Sequence, residues 1–431
     1  METHPNQSPE PERAFDVLAE GLGRRDLLKA TALVGAGAVA PAWLASPGIA
    51  GAAADPDDAE PPALQPGGGG IRGRYLASTP DTVMWGYLPN RDTKPVMSVD
   101  SGTVVTIDTV SHEGILEDQG RDPVRYFAQH GVPARGVMAD AKAIAASSLV
   151  HDFAADGPHI VTGPVAVNGA QPGDVLRIDV VGLVPRAPYG VISNRHGKGA
   201  LPGEFPETPP PEPGADAQHP ELFHNVSVFT PVRRIRGDYR GVLPAGRCRA
   251  EFPIDPFMGL MGVALDTSEK VNSIPPTVAG GNLDIRDLTV GSTLYLPVFV
   301  PGAKFFAGDP HYVQGDGEVA LTALEAPLRG TFRLTLLRAG STAIPGGRGR
   351  LEVPFGENAE FWLAVGLNAD LDEAMKQAVR ESIQFLDGEL GMPRAVAYAY
   401  LSAATDYVVS QVVDRTKGVH ARIAKEHFRG G

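Results

Sequence analysis

The stretch IVTGPVAVNGAQPGDVLRIDVVGLVP, residues 160–185, decides the fold class. Two apolar runs are split by Asn168-Gly169 and by Pro172-Gly173-Asp174, and both are turn signals. The reading is a hairpin followed by a strand over 175–184. TVVTIDTV, residues 103–110, alternates as a half-buried strand should. Further alternating runs follow at 291–300, in GTFRLTLLR and in RLEVPF. The rhythm at 173–181 returns at 291–300, which suggests duplicated, intertwined units. With 51 Gly and 39 Pro and few aromatics, the composition suits a turn-rich β protein. The expected fold is mixed and β-rich, with sandwich- or barrel-like sheets and C-terminal helices packed on a sheet.

The helices are read from NADLDEAMKQAVRESIQFL, which places Leu371, Met375, Ala378, Val379 and Ile383 on one face. Asn368 or Asp370 can cap its start, and Gly388 ends it. A second helix is predicted from Pro393 through to Asp414.

The N-terminal part reads as separate from the fold. Arg24-Arg25 precedes an apolar, uncharged run over residues 30–45, and small residues follow up to Ala54. This is the pattern of an export signal of the twin-arginine type, spanning 1–54. The apolar run is shorter than the roughly 20 residues a spanning helix needs, and Pro41 interrupts it. Residues 55–72 read as a flexible Pro- and Gly-rich leader. Two β-rich parts are expected beyond it, 73–225 and 226–431. The first ends in a Pro-rich loop, 185–225, which carries Arg195, His196 and Lys198 and reads as a functional flap. The protein is expected to use the twin-arginine machinery and to act in the periplasm or outside the cell.

Composition also excludes. A net charge of −13 argues against a nucleic-acid partner. The single cysteine, Cys248, excludes an internal disulfide framework and any multi-cysteine zinc site. No serine elbow, phosphate-binding loop or dinucleotide fingerprint is present.

What remains is a set of acidic residues and histidines in Gly-rich turns. One group is Asp108, Ser111-His112-Glu113-Gly114 and Glu117-Asp118. A second is GGNLDIRD, with Asn282, Asp284 and Asp287. The third, GDPHYVQGDGEV, holds Asp309, His311, Gln314, Asp316 and Glu318. Asp316-Gly317 alone is an ordinary hairpin signal. The turn does not explain His311, Gln314 and Glu318 beside it. Oxygen and imidazole donors on rigid turns suit a hard or borderline divalent ion.

The run GGNLDIRDLTVGSTLYLPVFVPGAKFFAGDPHYVQGDGEV, residues 280–319, resembles the acetamidase/formamidase family. GPHIVTGPVAVNGAQPGDVLRIDV, PFMGLMGVA and YAYLSAATDYVVSQVVD resemble further segments of it, so the likeness extends over most of the chain from about residue 80. It departs where the family often reads Gly-Asp-Gly-His and this chain reads Gly308-Asp309-Pro310-His311. Ser111-His112-Glu113-Gly114 likewise stands where the family often has Asp and a Gly-Gly pair. The resemblance implies hydrolysis of small linear amides, a homo-oligomer such as a dimer, and a divalent metal, with zinc the first choice and calcium the alternative. On this reading His112, His311 and Asp309 hold the metal. Glu318 is the acid/base, with Asp316 and Asp284 as further catalytic carboxylates. Asn282, Gln314 and Glu113 contact the amide. A hydrolase of a cyclic or larger amide, such as a lactam, and a non-catalytic binding protein on the same fold are the alternatives.

Overall fold

The computed structural model describes residues 63–428. The export signal expected over 1–54 lies outside them. No helix among the described residues is long and apolar enough to cross a membrane.

Two large sheets organise the chain. The first has nine strands, in the order Arg74–Leu76, Thr103–Asp108, Leu328–Leu337, Val175–Pro185, Thr293–Pro297, Phe355–Glu357, Phe361–Asn368, Lys417–Ala424 and Asp406–Gln411. The second has eleven. Its main path runs from Cys248–Pro253 through Asp238–Ala245, Val226–Ile235, Tyr189–Asn194, Leu324–Glu325 and Phe305–Val313 to Phe257–Gly262 and Gly280–Asn282. Ile160–Val167 pairs with Phe305–Val313 and carries two short strands, Val83–Trp85 and Met97–Val99. Pairing is antiparallel almost throughout, as hairpin-rich sequence requires.

The main core lies between the sheets. Val105, Ile178, Leu294 and Phe332 of the first sheet meet Met258, Phe305, Ala307 and Tyr312 of the second, all within 2% exposure. The arrangement is a sandwich, not a closed barrel. A second core forms where two short helices, Pro123–Ala128 and Ala139–Ala145, cover the second sheet with Tyr126, Phe127 and Ile144. The strand-like reading of this region missed both helices because each has fewer than two full turns of apolar periodicity.

The C-terminal helices pack on the first sheet, as expected. Asp370 caps Leu371–Leu390 by accepting from the Glu373 N–H at 3.0 Å. Gly391, not Gly388, closes the helix in the left-handed conformation. The buried stripe is Ala374, Ala378, Ser382 and Phe385, while Met375 is exposed. The small residues win because the helix backbone rests directly on Gly366. A Cβ there would lie 2.1 Å from the Ala374 carbonyl oxygen. The second helix ends at Ala404. Residues 406–411 then pair with 417–424 as a hairpin, because Val408 and Val409 gain more from an edge-strand register than from a helix.

Buried arginines fix the C-terminal end of the strand Thr103–Asp108, which leads to the site. Arg329 binds Asp108 through two nitrogens, at 2.6 and 2.9 Å. It also donates to the carbonyls of Gly68 and Gly69. Arg186 donates to the Thr109 carbonyl at 3.0 Å and forms an ion pair with Asp140 at 2.7 Å. The residues read as a leader are therefore tied to the body of the protein from Leu64, whose N–H reaches the Arg186 carbonyl.

Candidate active site

Three segments far apart in sequence converge at one end of the sandwich. Asp108 and Arg329 hold the strand Thr103–Asp108, and the turn after it carries His112 and Glu113 inward. The strand Phe305–Val313 supplies Asp309 and His311. The segment after Gly280–Asn282 supplies Asp284.

The central strand is distorted where it bears the site. Asp309 has φ +48°, a left-handed value that costs a non-glycine residue on the order of 1 kcal/mol or more. The pleat changes parity there, since Phe305 and Ala307 share the main core with Tyr312. Asp284 at φ +50° and Glu318 at φ +48° carry the same strain. Opposite them, Gly259 leaves the room that the acids fill. A Cβ at Gly259 would lie 2.5 Å from Asp284 Oδ1 and 2.7 Å from Asp309 Oδ2.

The contacts are close. His311 Nε2 lies 3.0 Å from Asp309 Oδ2 and 3.0 Å from Glu325 Oε1. Glu325 is the cross-strand partner of His311. His112 Nδ1 lies 3.6 Å from Asp309 Oδ1, and His159 Nε2 lies 3.7 Å from the same oxygen. His159 is oriented from behind by Ser273 at 2.9 Å. Asp309, His311, Glu325, His112, His159, Asp284 and Glu318 are all buried.

Many of these atoms have no hydrogen-bond partner. Both ring nitrogens of His112 and of His311, both carboxylate oxygens of Asp284 and Asp309 Oδ1 are buried and unpartnered. Orphaned buried polar atoms are costly, and so many in one place call for a group that takes their lone pairs. Three overlapping sets have donor atoms within 4.8 Å of one another: His112, His159 and Asp309; Asp309, His311 and Glu325; and Asp284, His311 and Glu318.

Electrostatics agree with that excess of acid. Burial pushes the Glu318 and Asp284 carboxyls well above the usual range, and neighbouring carboxylates add to it. Burial, then crowding by Asp309, brings Asp414 to about 7. Asp309 moves the other way: burial opposes ionisation, but the adjacent His311 and His159 hold its carboxyl well below the usual range. Burial also works against charge on His112, yet Asp309 and Glu113 raise it to about 10. His159, with weaker compensation for its burial, falls to about 4.

Around this cluster opens a cavity of about 600 Å³. His112, His159, Asn282, Asp309, Glu318, Glu325 and Asp414 line it. His311 and Asp284 do not line it; they back onto Asp309 and Glu318. The long loop expected to be a flap forms one wall through residues 195–199, Pro211, Phe223 and Asn225. It is stitched in place. Arg195 donates to Asp118 at 2.7 Å and to Glu113 at 2.9 Å, and Asn225 donates to Asp118 at 2.9 Å.

The residues singled out in the sequence divide accordingly. His112, Asn282, Asp309 and Glu318 meet at the cavity, with His311 and Asp284 directly behind. Glu113 is buried and occupied by Arg195, Ser193 and Gln119, so it orients its neighbours and is shut off from the cavity. Gln314 donates to the backbone carbonyls of Asp284 and Ser410, each at 3.0 Å, and ties two site segments together. Asp316 is exposed and pairs with Arg422 at 3.4 Å, outside the cavity. The left-handed turn at Glu318 breaks the alternation that had grouped Asp316 with it. His159, Glu325 and Asp414 escaped the sequence reading.

Residues 258–424 match the model of the Acetamidase/Formamidase family. Over 191 residues the chain is 29% identical to a formamidase of Methylophilus methylotrophus, covering 37% of this chain and 47% of that one. Over 198 residues it is 28% identical to an acetamidase of Mycolicibacterium smegmatis, covering 37% and 49%. The matched stretch thus spans about half the length of the curated relatives. Among solved structures, an acetamidase from Yersinia enterocolitica superposes with a TM-score of 0.63 at 24% identity, covering 85% of this chain and 96% of that one. An acetamidase from Bacillus halodurans gives 0.60 at 23% identity, covering 82% and 98%. At these identities the likeness is one of fold. Residues 258–424 thus match the sequence of the Acetamidase/Formamidase family, and the described part of the chain shares its fold with the solved acetamidases.

Proposed function

We propose that the chain hydrolyses the C–N bond of an amide, giving a carboxylate and ammonia or an amine. The observation that carries this reading is the buried cluster of carboxylates and imidazoles on the cavity wall, with its unpartnered donor atoms. The formamidase and acetamidase relatives support the reaction class.

The donor set fits a divalent ion, with zinc the first choice for mixed imidazole and carboxylate ligands and calcium the alternative. His112, His159 and Asp309 would hold it, or Asp309, His311 and Glu325. When bound, the ion would supply Lewis-acid polarisation of the amide carbonyl and a lower pKa for water. Asp309, kept ionised by its histidines, is suited to hold a cation. Glu318, whose burial raises its carboxyl, is suited to take a proton from water and return it to the departing nitrogen. Asn282, on the cavity wall with a free Oδ1, is suited to orient the amide N–H. Glu113 and Arg195 fix the turn that presents His112.

The reading extends to the cell. Arg24-Arg25 and the apolar run after it support export by the twin-arginine route to the periplasm or beyond. A homodimer is proposed on the resemblance to the family alone. Ammonia release from formamide and acetamide, by protein starting near residue 55, tests the activity. Absence of release from every amide tried, with metal supplied, would leave a binding protein on this fold.

A further inference from the structure

The cavity is far larger than the smallest amides need. A water molecule occupies roughly 30 Å³ of the liquid, so about 600 Å³ is the space of roughly twenty waters. Acetamide, with four heavy atoms, would leave most of it empty. Cavities of this size ordinarily enclose a ligand several times larger.

The cavity wall beyond the acids and histidines themselves has its own chemistry. Glu318 sits in a turn flanked on both sides by segments that bring cations. On one side, the Ala200 N–H reaches the Val319 carbonyl at 2.9 Å, and Asn194 Nδ2 reaches the Ala320 carbonyl at 2.8 Å. This places Lys198 on the wall. On the other, the Gly317 N–H reaches the Ser410 carbonyl at 3.1 Å and the Val412 N–H the Gly317 carbonyl at 3.2 Å. This brings Arg415 and Lys417 to the same cavity. Lys417 is taken up by the Ala369 carbonyl at 2.6 Å. Neither Lys198 nor Arg415 has a carboxylate partner among the described residues, and both are exposed. Phe153, Phe223, Leu321 and Val413 add apolar surface to the same walls.

We propose that the preferred substrate is a primary amide whose acyl chain ends in a carboxylate. The inference rests on the amide-hydrolase reading of the acidic cluster. The amide group meets the acids and histidines, the methylene chain lies on the apolar wall, and the carboxylate meets Lys198 and Arg415. In the reaction the C–N bond breaks, water supplies the new C–O bond, and the products are a dicarboxylate and ammonia. Two unpaired cations of opposite sign to the substrate raise its local concentration and hold its tail.

The test compares acetamide, hexanamide and the monoamide of the six-carbon dicarboxylic acid on the metal-loaded enzyme. The acidic monoamide should have a kcat/KM about tenfold or more above hexanamide, with the difference mainly in KM. In Lys198→Gln/Arg415→Gln that ratio should fall towards one, whereas a folding defect would lower both rates together. Equal kcat/KM for the acidic and neutral six-carbon amides would overturn the inference while leaving amide hydrolysis intact. If no amide is turned over, the hydrolase reading fails separately. Calorimetry with the six-carbon dicarboxylate then decides: binding lost in the double variant supports the anion site, and no binding to the unsubstituted protein overturns it.

Discussion

His311 and Glu325 face each other across neighbouring strands, Nε2 to Oε1 at 3.0 Å, as a register pair of the second sheet. The pair is buried, and Asp309 approaches the same nitrogen at the same distance. Two carboxylates on one imidazole nitrogen cannot both be satisfied by its single proton. A cation among them resolves the conflict.

Asp309→Asn and His112→Ala should each lower the divalent metal carried through purification, measured by elemental analysis. Asp309 is common to two of the three donor sets, so its loss should be the larger. Metal content equal to that of the unsubstituted protein in both variants would rule out these residues as ligands.

Glu318→Gln should lower kcat on acetamide by about 10²- to 10⁴-fold, the usual contribution of a positioned acid/base. Metal content should stay within a small margin of the parent, since His112, His159, Asp309 and Glu325 remain. A variant of normal kcat would remove Glu318 from the reaction.

Gly259→Ala should be destabilised by about 1–3 kcal/mol, the usual cost of overpacking, and should lose activity as well. The new methyl group has no free space between Asp284 and Asp309. Thermal unfolding and the acetamide assay check this. A normal Tm with normal kcat would show that the acids do not need the gap.

Asp287 provides a pH test away from the cluster. Burial disfavours its charge, but hydrogen bonds from His420 and Arg422, both at 2.9 Å, outweigh that and lower its pKa. A lowered carboxyl pKa means that its stabilisation is present above the unfolded value, about 3.9. It is lost as pH falls through the lower folded value. Asp287→Asn should therefore cost about 1–3 kcal/mol at pH 7, and the difference from the parent should shrink as the pH is lowered through that window. A difference independent of pH from 7 to 3 would exclude the charge as its source.

Much of this was legible in the sequence, for identifiable reasons. The strands Ile160–Val167 and Val175–Pro185 could be read because turn residues and alternation agreed, but they enter different sheets, so the expected hairpin does not form: each finds its partners in strands distant in sequence. Asp309, His311 and Glu318 stood out because a turn has no use for so many donors. His159 and Glu325 did not stand out, since each is a single polar residue beside an apolar run. His159 reaches Asp309 from 150 positions away, and that contact exists only through sheet register. Asp414 was hidden by the reading of 406–414 as helix, and it comes to the cavity in the turn of a hairpin. Asp316 was misplaced because alternation cannot anticipate a left-handed residue two positions on.

The most direct measurement is ammonia release from acetamide by protein starting near residue 55, before and after treatment with a chelator and again after zinc is restored. Hydrolysis that is lost with the metal and recovered with zinc is the expected result. Hydrolysis at full rate in protein shown to be free of divalent metal would contradict a metal held by His112, His159, Asp309, His311 and Glu325.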